Sequence, residues 1–313
     1  MVFGARRLLS LGRARPAVVQ PENVTSGTAD DQRGPGATRV ERHKPGGELK
    51  SSREIGLMRK AGLLVWEAHR LAASMIRPGV STAEIDGAIA AYFAANNAEP
   101  LFKNFPNSED GGPPFPAVTC ISINEEVVHG IPTDRRKLAE GDIVSIDTGC
   151  KFAGWCGDAA FTHAVGQINP DVRRLLDTTR GVLALAIDLM GKRSNWRDVA
   201  SEMESYVKQR GFSVVEQFVG HGIGRQMHED PQVPNFAGKG LRGGGAFRLV
   251  PGLVIAIEPM VNMGTKKVRM RPDYWTQVTN DGRPSAHFEH TVALTESGPV
   301  VLTAGPNGEV WLD

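Results

Sequence analysis

At 313 residues, with 41% hydrophobic content and a formal charge of +1, the chain can bury one large core or two intimate ones. Its 36 Lys and Arg balance 35 Asp and Glu, so no basic field argues for nucleic acid, and no apolar run reaches the ~18 residues that span a bilayer. Three cysteines, Cys120, Cys150 and Cys156, fit neither a disulfide framework nor a Cys-x-x-Cys metal site, which suits a reducing compartment.

Residues 1–48 differ from the rest in being rich in Arg, Pro and Gly; Arg6, Arg7, Arg13 and Arg15 precede any acid. They read as an extension: a transit peptide, a disordered tail or the product of an upstream start codon. A folded domain is expected over 49–313. Ser51 with Glu54 forms a capping box for a helix whose Ala61, Leu64, Val65, Ala68, Leu71, Ala72 and Met75 recur at helical spacing until Pro78-Gly79. Ser81 with Glu84 opens a second helix through Ile85, Ile89 and Phe93. The loop from 100 to 116, containing NSEDGGPPFP, is expected to be flexible and to border a cleft.

The stretch from Gly141 to His163 then sets Asp147 and Asp158 inside apolar, strand-forming runs separated by Gly149, Gly154 and Gly157, which predicts a β-hairpin. A hairpin can place both carboxylates on one face, where they are unstable unless one is protonated or a cation lies between them. Cys150 and Cys156 flank its turn and are read as packing residues, with a thiol pair the alternative.

The order of elements then repeats. Asn169-Pro170 opens a helix, and Ser194 is expected to cap another that runs to Arg210-Gly211. The stretch MIRPGVSTAEI at 75–85 corresponds to LMGKRSNWRDV at 189–199, so the chain reads as an α+β domain of two pseudo-twofold halves with the cleft between them. The second half supplies further donors: His221 between glycines, Glu258 after the apolar run Leu253 to Ile257, and Glu289 at the start of another strand. Singly, each has an ordinary reading as a core or strand-end residue. Together, four carboxylates and one neutral imidazole bring a charge of −4, which matches two divalent cations. An oxygen-rich set without thiolate favours Co, Mn, Fe or Zn in a catalytic rather than a structural role, and implies hydrolysis of an amide or ester. His129 and His228 are candidates to hold the developing oxyanion and the leaving nitrogen, with structural roles the alternative.

Five motifs in order, CISINEEVVHGIP at 120–132, DTG with GDAAFTH at 147–163, GHGIG with MHEDP at 220–231, IEPM at 257–260 and SAHFEHT at 285–291, closely resemble type I methionine aminopeptidases. The resemblance spans roughly 51–303 and implies the pita-bread (creatinase/aminopeptidase) fold, two pseudo-twofold-related halves around a curved antiparallel sheet. It implies two divalent metals on Asp147, Asp158, His221, Glu258 and Glu289, with Asp158 and Glu289 bridging. It gives His129 and His228 substrate and transition-state roles and lets Glu258 assist proton transfer. The implied activity removes initiator methionine from nascent chains whose second residue is small. It carries expectations of a cytoplasmic monomer, organellar if the Arg-rich start is a transit peptide, in transient ribosome contact and without membrane or nucleic-acid specificity. The competing readings are an Xaa-Pro peptidase of the same fold and a non-catalytic ribosome-associated protein.

The chain departs from the family pattern around the methionine pocket. Gly112 stands where tyrosine is common, Met227 where phenylalanine is usual, and His287 where glutamine is usual. Phe115, the one aromatic residue of SEDGGPPFP, joins Cys120, Met227 and Trp275 in an apolar, partly sulfur-lined slot.

Overall fold

The computed structural model describes residues 47–109, 111–238 and 245–312. The readings made for residues 1–46 lie outside this range. The chain runs α1 (Ser52–Met75), α2 (Thr82–Ala95), β1 (Glu99–Pro100), β2 (Cys120–Ile123), β3 (Glu126–Val128), β4 (Ile143–Phe152) and β5 (Trp155–Ala164). Then come α3 (Pro170–Met190), α4 (Trp196–Gln209), β6 (Ser213–Val214), β7 (Gly220–Gly222), β8 (Glu229–Val233), β9 (Val254–Ile257) and β10 (Met260–Asn262). The last five strands are β11 (Val268–Met270), β12 (Gln277–Thr279), β13 (Ser285–His287), β14 (Glu289–Thr295) and β15 (Gly298–Val301).

Both expected capping boxes form. Ser51 and Ser81 accept N–H groups at Glu54 and Glu84, whose carboxylates accept the cap backbone in return. Asn169 caps α3, with Pro170 in its first turn. The expectation for α4 was off by one residue: Asn195, not Ser194, is the cap, and its side chain accepts from the Arg197 N–H. Backbone pairing decides this, because the Leu249 N–H donates to Ser194 O at 3.0 Å and holds Ser194 in the chain before the helix.

The main sheet runs β1-β4-β5-β14-β9-β7-β8, with β15 added to β14 and β2 to β4, and its recorded pairings are antiparallel. The helices cover one face through a core that includes Val65, Phe93, Ile146, Phe161, Leu183, Trp196 and Ile257. Helix α1 crosses β5 closely enough that a Cβ on Gly157 would come within 2.9 Å of the Gly62 backbone nitrogen, so both glycines serve packing. Cys150 and Cys156 occupy adjacent register positions on opposite faces of the β4–β5 hairpin, bury in different clusters and are free thiols. Among the described residues no helix is long and apolar enough to cross a membrane.

The pseudo-twofold relation is visible in the hydrogen bonding. Thr82 N–H donates to Arg136 O and Leu138 N–H to Val80 O; in the second half Trp196 N–H donates to Phe247 O and Leu249 N–H to Ser194 O. The halves meet at the pair Ala160–Glu289 of β5 and β14. On one side of that pair the Thr162 hydroxyl donates to His287 O and accepts the His287 N–H; on the other, Thr291 does the same for Asp158. The relation therefore maps Asp158 onto His287.

Candidate metal centre and substrate cavity

The β4–β5 register makes Asp147 the partner of Ala160 and Gly149 the partner of Asp158, so both aspartates project from one face as diagonal neighbours. Glu289 opposes Ala160 from β14 and shares that face. Glu258 follows Ile257, whose partner is His290, and so arrives beside Glu289. His221 comes from β7, where glycines let three backbones crowd together: a Cβ on Gly220 would lie 2.3 Å from Ala256 O, and one on Gly222 2.1 Å from Asp230 O.

Donor atoms of Asp158, His221 and Glu289 lie within 4.8 Å of one another. His221 Nε2 is 3.5 Å from Glu258 Oε1, while its Nδ1 lies 3.0 Å from Gly222 O. An Nδ1–H donated to that carbonyl leaves the Nε2 lone pair free for a metal. Asp147 Oδ1, Asp158 Oδ1 and Glu289 Oε1 are buried and have no hydrogen-bond partner among the described residues. Buried carboxylate oxygens left this way are costly unless a cation or a proton satisfies them. Burial pushes the Asp158 carboxyl up to about 8. Burial and the neighbouring carboxylates raise Asp147, Glu258 and Glu289 well above the ordinary range. Burial holds the His221 imidazole down at about 4, with help from His228, so the ring is neutral at pH 7. Oxygen-rich donors, one neutral nitrogen and crowded anionic charge fit divalent metal.

All eleven residues expected at the site line one cavity of about 220 Å³: Phe115, Cys120, His129, Asp147, Asp158, His221, Met227, His228, Glu258, Trp275 and Glu289. His129 is placed at its wall with a backbone φ of +60°, a left-handed conformation uncommon for a residue with a Cβ. Its ring stands edge-on to Phe218 and Trp275. The ring of His228, on the solvent side, is 4.4 Å from that of His221. Burial lowers both: His129 falls to about 4, and His228 shifts in the same direction.

Upstream of SEDGGPPFP, Phe102 and Phe105 also line the cavity beside Phe115, and the Phe105 ring meets His228 edge-on at 5.3 Å. The loop is also less free than expected at its base, where Asn104 N–H donates to Phe115 O and Phe115 N–H to Phe105 O. Gly112 faces Asn107 instead of the slot. His287 is buried, both its ring nitrogens lack a hydrogen-bond partner among the described residues, and Nε2 lies 3.9 Å from Glu258 Oε2 in an adjoining cavity. Its place beside Glu258 follows from the pseudo-twofold relation, which makes it the counterpart of Asp158.

A two-half antiparallel sheet carrying these acids on one face defines the pita-bread class of metallopeptidase. Residues 56–296 match metallopeptidase family M24, and the chain belongs to that family. It is 42% identical over 255 residues to the methionine aminopeptidase of Clostridium acetobutylicum, covering 82% of this chain and 98% of that one. It is similar to the crystal structure of methionine aminopeptidase from Thermotoga maritima, with TM-score 0.76 and 39% identity over 82% and 99% of the two chains. The prolidase of Pyrococcus furiosus shares the fold at TM-score 0.62 and 21% identity, over 82% of this chain and 65% of that one.

Proposed function

We infer that this chain is a metal-dependent aminopeptidase that removes N-terminal methionine from nascent polypeptides whose second residue is small. The observation that carries this reading is the union, in one cavity, of the five metal-suited donors with an apolar slot of Phe105, Phe115, Cys120, Met227 and Trp275. Similarity to proteins named methionine aminopeptidase over four-fifths of the chain supports it.

In this reading Asp147, Asp158, His221, Glu258 and Glu289 of the domain at 49–313 would hold two divalent ions, drawn from Co, Mn, Fe or Zn. When bound, they supply an acidified water and polarise the scissile carbonyl. The slot binds the unbranched methionine side chain, whose thioether packs favourably against aromatic edges and the Cys120 thiol. The Asp147 side of the site receives the substrate amine. His129 and His228, neutral at working pH, each have an N–H to donate, one to the carbonyl oxygen as charge develops and the other to the peptide nitrogen. Glu258 takes the proton of the attacking water and passes it to the leaving nitrogen.

Turnover of Met-Ala, Met-Val and Xaa-Pro peptides by metal-reconstituted protein tests the assignment. Met-Ala is expected to be cleaved fastest; preference for Xaa-Pro would overturn the substrate claim. Failure of any peptide to turn over would favour the non-catalytic reading, against which stands the presence of all five donors.

A further inference from the structure

The segment that leads into α1 lies against the loop that carries Met227 and His228. Lys50 N–H donates to Gly252 O at 2.7 Å, which anchors the segment beside β9 and β14. Its side chain, only 2% exposed, brings Nζ to 2.8 Å from Glu229 Oε2. Glu48 reaches the same ammonium at 3.3 Å, but from solvent. The other oxygen of Glu229, Oε1, accepts the N–H groups of Arg225 and Gln226 at 2.7 and 3.0 Å. The carboxylate thus closes the 222–229 loop upon itself, and Lys50 closes the carboxylate.

The surrounding residues fit this arrangement. A Cβ on Gly224 would stand 2.5 Å from Lys50 Cε and 2.7 Å from Glu229 Oε1, so the ion pair needs glycine there. Cys156 N–H donates to Gly224 O, and the Arg225 guanidinium lies over the Trp155 ring at 4.2 Å. Burial alone would raise the Glu229 carboxyl, but the Lys50 hydrogen bond and the two loop N–H groups hold it below its usual range. Met227 and His228 emerge from this fixed loop into the cavity, and Glu229 is the residue bonded to His228. A buried ammonium is expensive unless its partner is well placed, and removing one member of such a pair leaves the other uncompensated.

We propose that Lys50 is a positioning residue for peptide hydrolysis, acting through Glu229 to fix the orientation of His228 and the place of Met227. The proposal rests on the role given above to His228. It makes the first residues of the domain part of the working site, although Lys50 itself does not line the cavity.

The test is a double-mutant cycle in the full-length, metal-loaded protein with Met-Ala substrate. Lys50→Met is expected to lower kcat/KM by about 10- to 100-fold, the range for loss of a charge-assisted hydrogen bond, with kcat carrying most of it. In the His228→Ala background the same change is expected to cost less than about threefold, because the group it serves is gone. Lys50→Arg is expected to recover most of the rate. Losses that multiply independently in the double variant would overturn the proposal. If Lys50→Met does not fold, Lys50→Gln takes its place in the cycle.

A second arm needs no turnover. With ring-labelled histidine, Lys50→Met should shift the His228 NMR signals while those of His69 and His290, buried at Ala159 and Thr303, stay in place. Unmoved His228 signals would refute the coupling. Moved signals in a protein that fails to cleave Met-Ala would keep the coupling and discard the functional reading.

Discussion

Chelating the metals should turn the cage from a binding site into a source of pH-dependent instability. Four carboxyl groups are then buried together, with Asp158 pushed up to about 8 and Asp147, Glu258 and Glu289 raised with it. A carboxyl whose folded pKa lies above its unfolded value binds more protons in the native state, so stability falls as pH rises toward the folded value. The buried histidines act with the opposite sign. His69 and His287 are lowered to about 3, and His129, His163, His221 and His290 to about 4, chiefly by burial. Their contribution grows with pH until the unfolded imidazole, half protonated near 6.5, is neutral about one pH unit higher. The window from about pH 7.5 to 8.5 therefore reports mainly the carboxyls. Across it Asp158 alone loses about 0.5–1 kcal/mol, and each of the other three adds a loss of the same sign while it stays protonated. For a domain of this size the Asp158 share corresponds to a fall in Tm of about 1–4 °C. Calorimetry of chelator-treated protein across this window should show at least that fall, and metal-loaded protein should lack it because the ions replace the protons. A metal-free Tm that holds or climbs from about pH 7.5 to 8.5 would show that the carboxyls do not crowd as described.

Three substitutions probe the same geometry. Asp158→Asn should reduce metal content and Met-Ala turnover by about a hundredfold or more yet raise the metal-free Tm at pH 8, because a neutral amide replaces a carboxyl that resists ionisation; elemental analysis and calorimetry read the two effects. Gly149→Ala would set a Cβ 2.8 Å from Asp158 Oδ1 and 2.9 Å from Gly157 O, so a loss of about 1–3 kcal/mol in stability and weaker metal affinity by titration are expected. Trp275→Leu removes the hydrogen bond from Nε1 to Pro113 O at 2.9 Å and the edge contact with Phe115. Steady-state kinetics should show KM for Met-Ala rising more than kcat falls, with reduced preference for methionine over leucine at the first position.

Features written in local chemistry were legible in the sequence. Ser51 with Glu54 and Ser81 with Glu84 announce helix starts because a cap needs only three residues of context. The donor set was legible because an acid within an apolar run conflicts with burial unless something offsets its charge. What escaped depends on partners distant in the chain. Ser194 and Asn195 are both competent caps, and pairing with residues 247–249 selects between them. Phe102 and Phe105 lie in a stretch without periodicity, and the bonds joining 104–105 to 115 bring them to the cavity. No sequence pattern showed that Thr162 and Thr291 would each clamp both backbone groups of a residue across the central seam.

That seam makes the molecule a dimer written in one polypeptide. Its halves meet about the Ala160–Glu289 pair, and the linker after β5 is short, turning through Gly166 at φ +65°. Asp147 and Asp158 belong to one half, and His221, Glu258 and Glu289 to the other, so neither half owns a complete set of donors. A chain nicked in that linker would present two fragments whose reassociation the metal itself should drive, as a rivet passed through both plates.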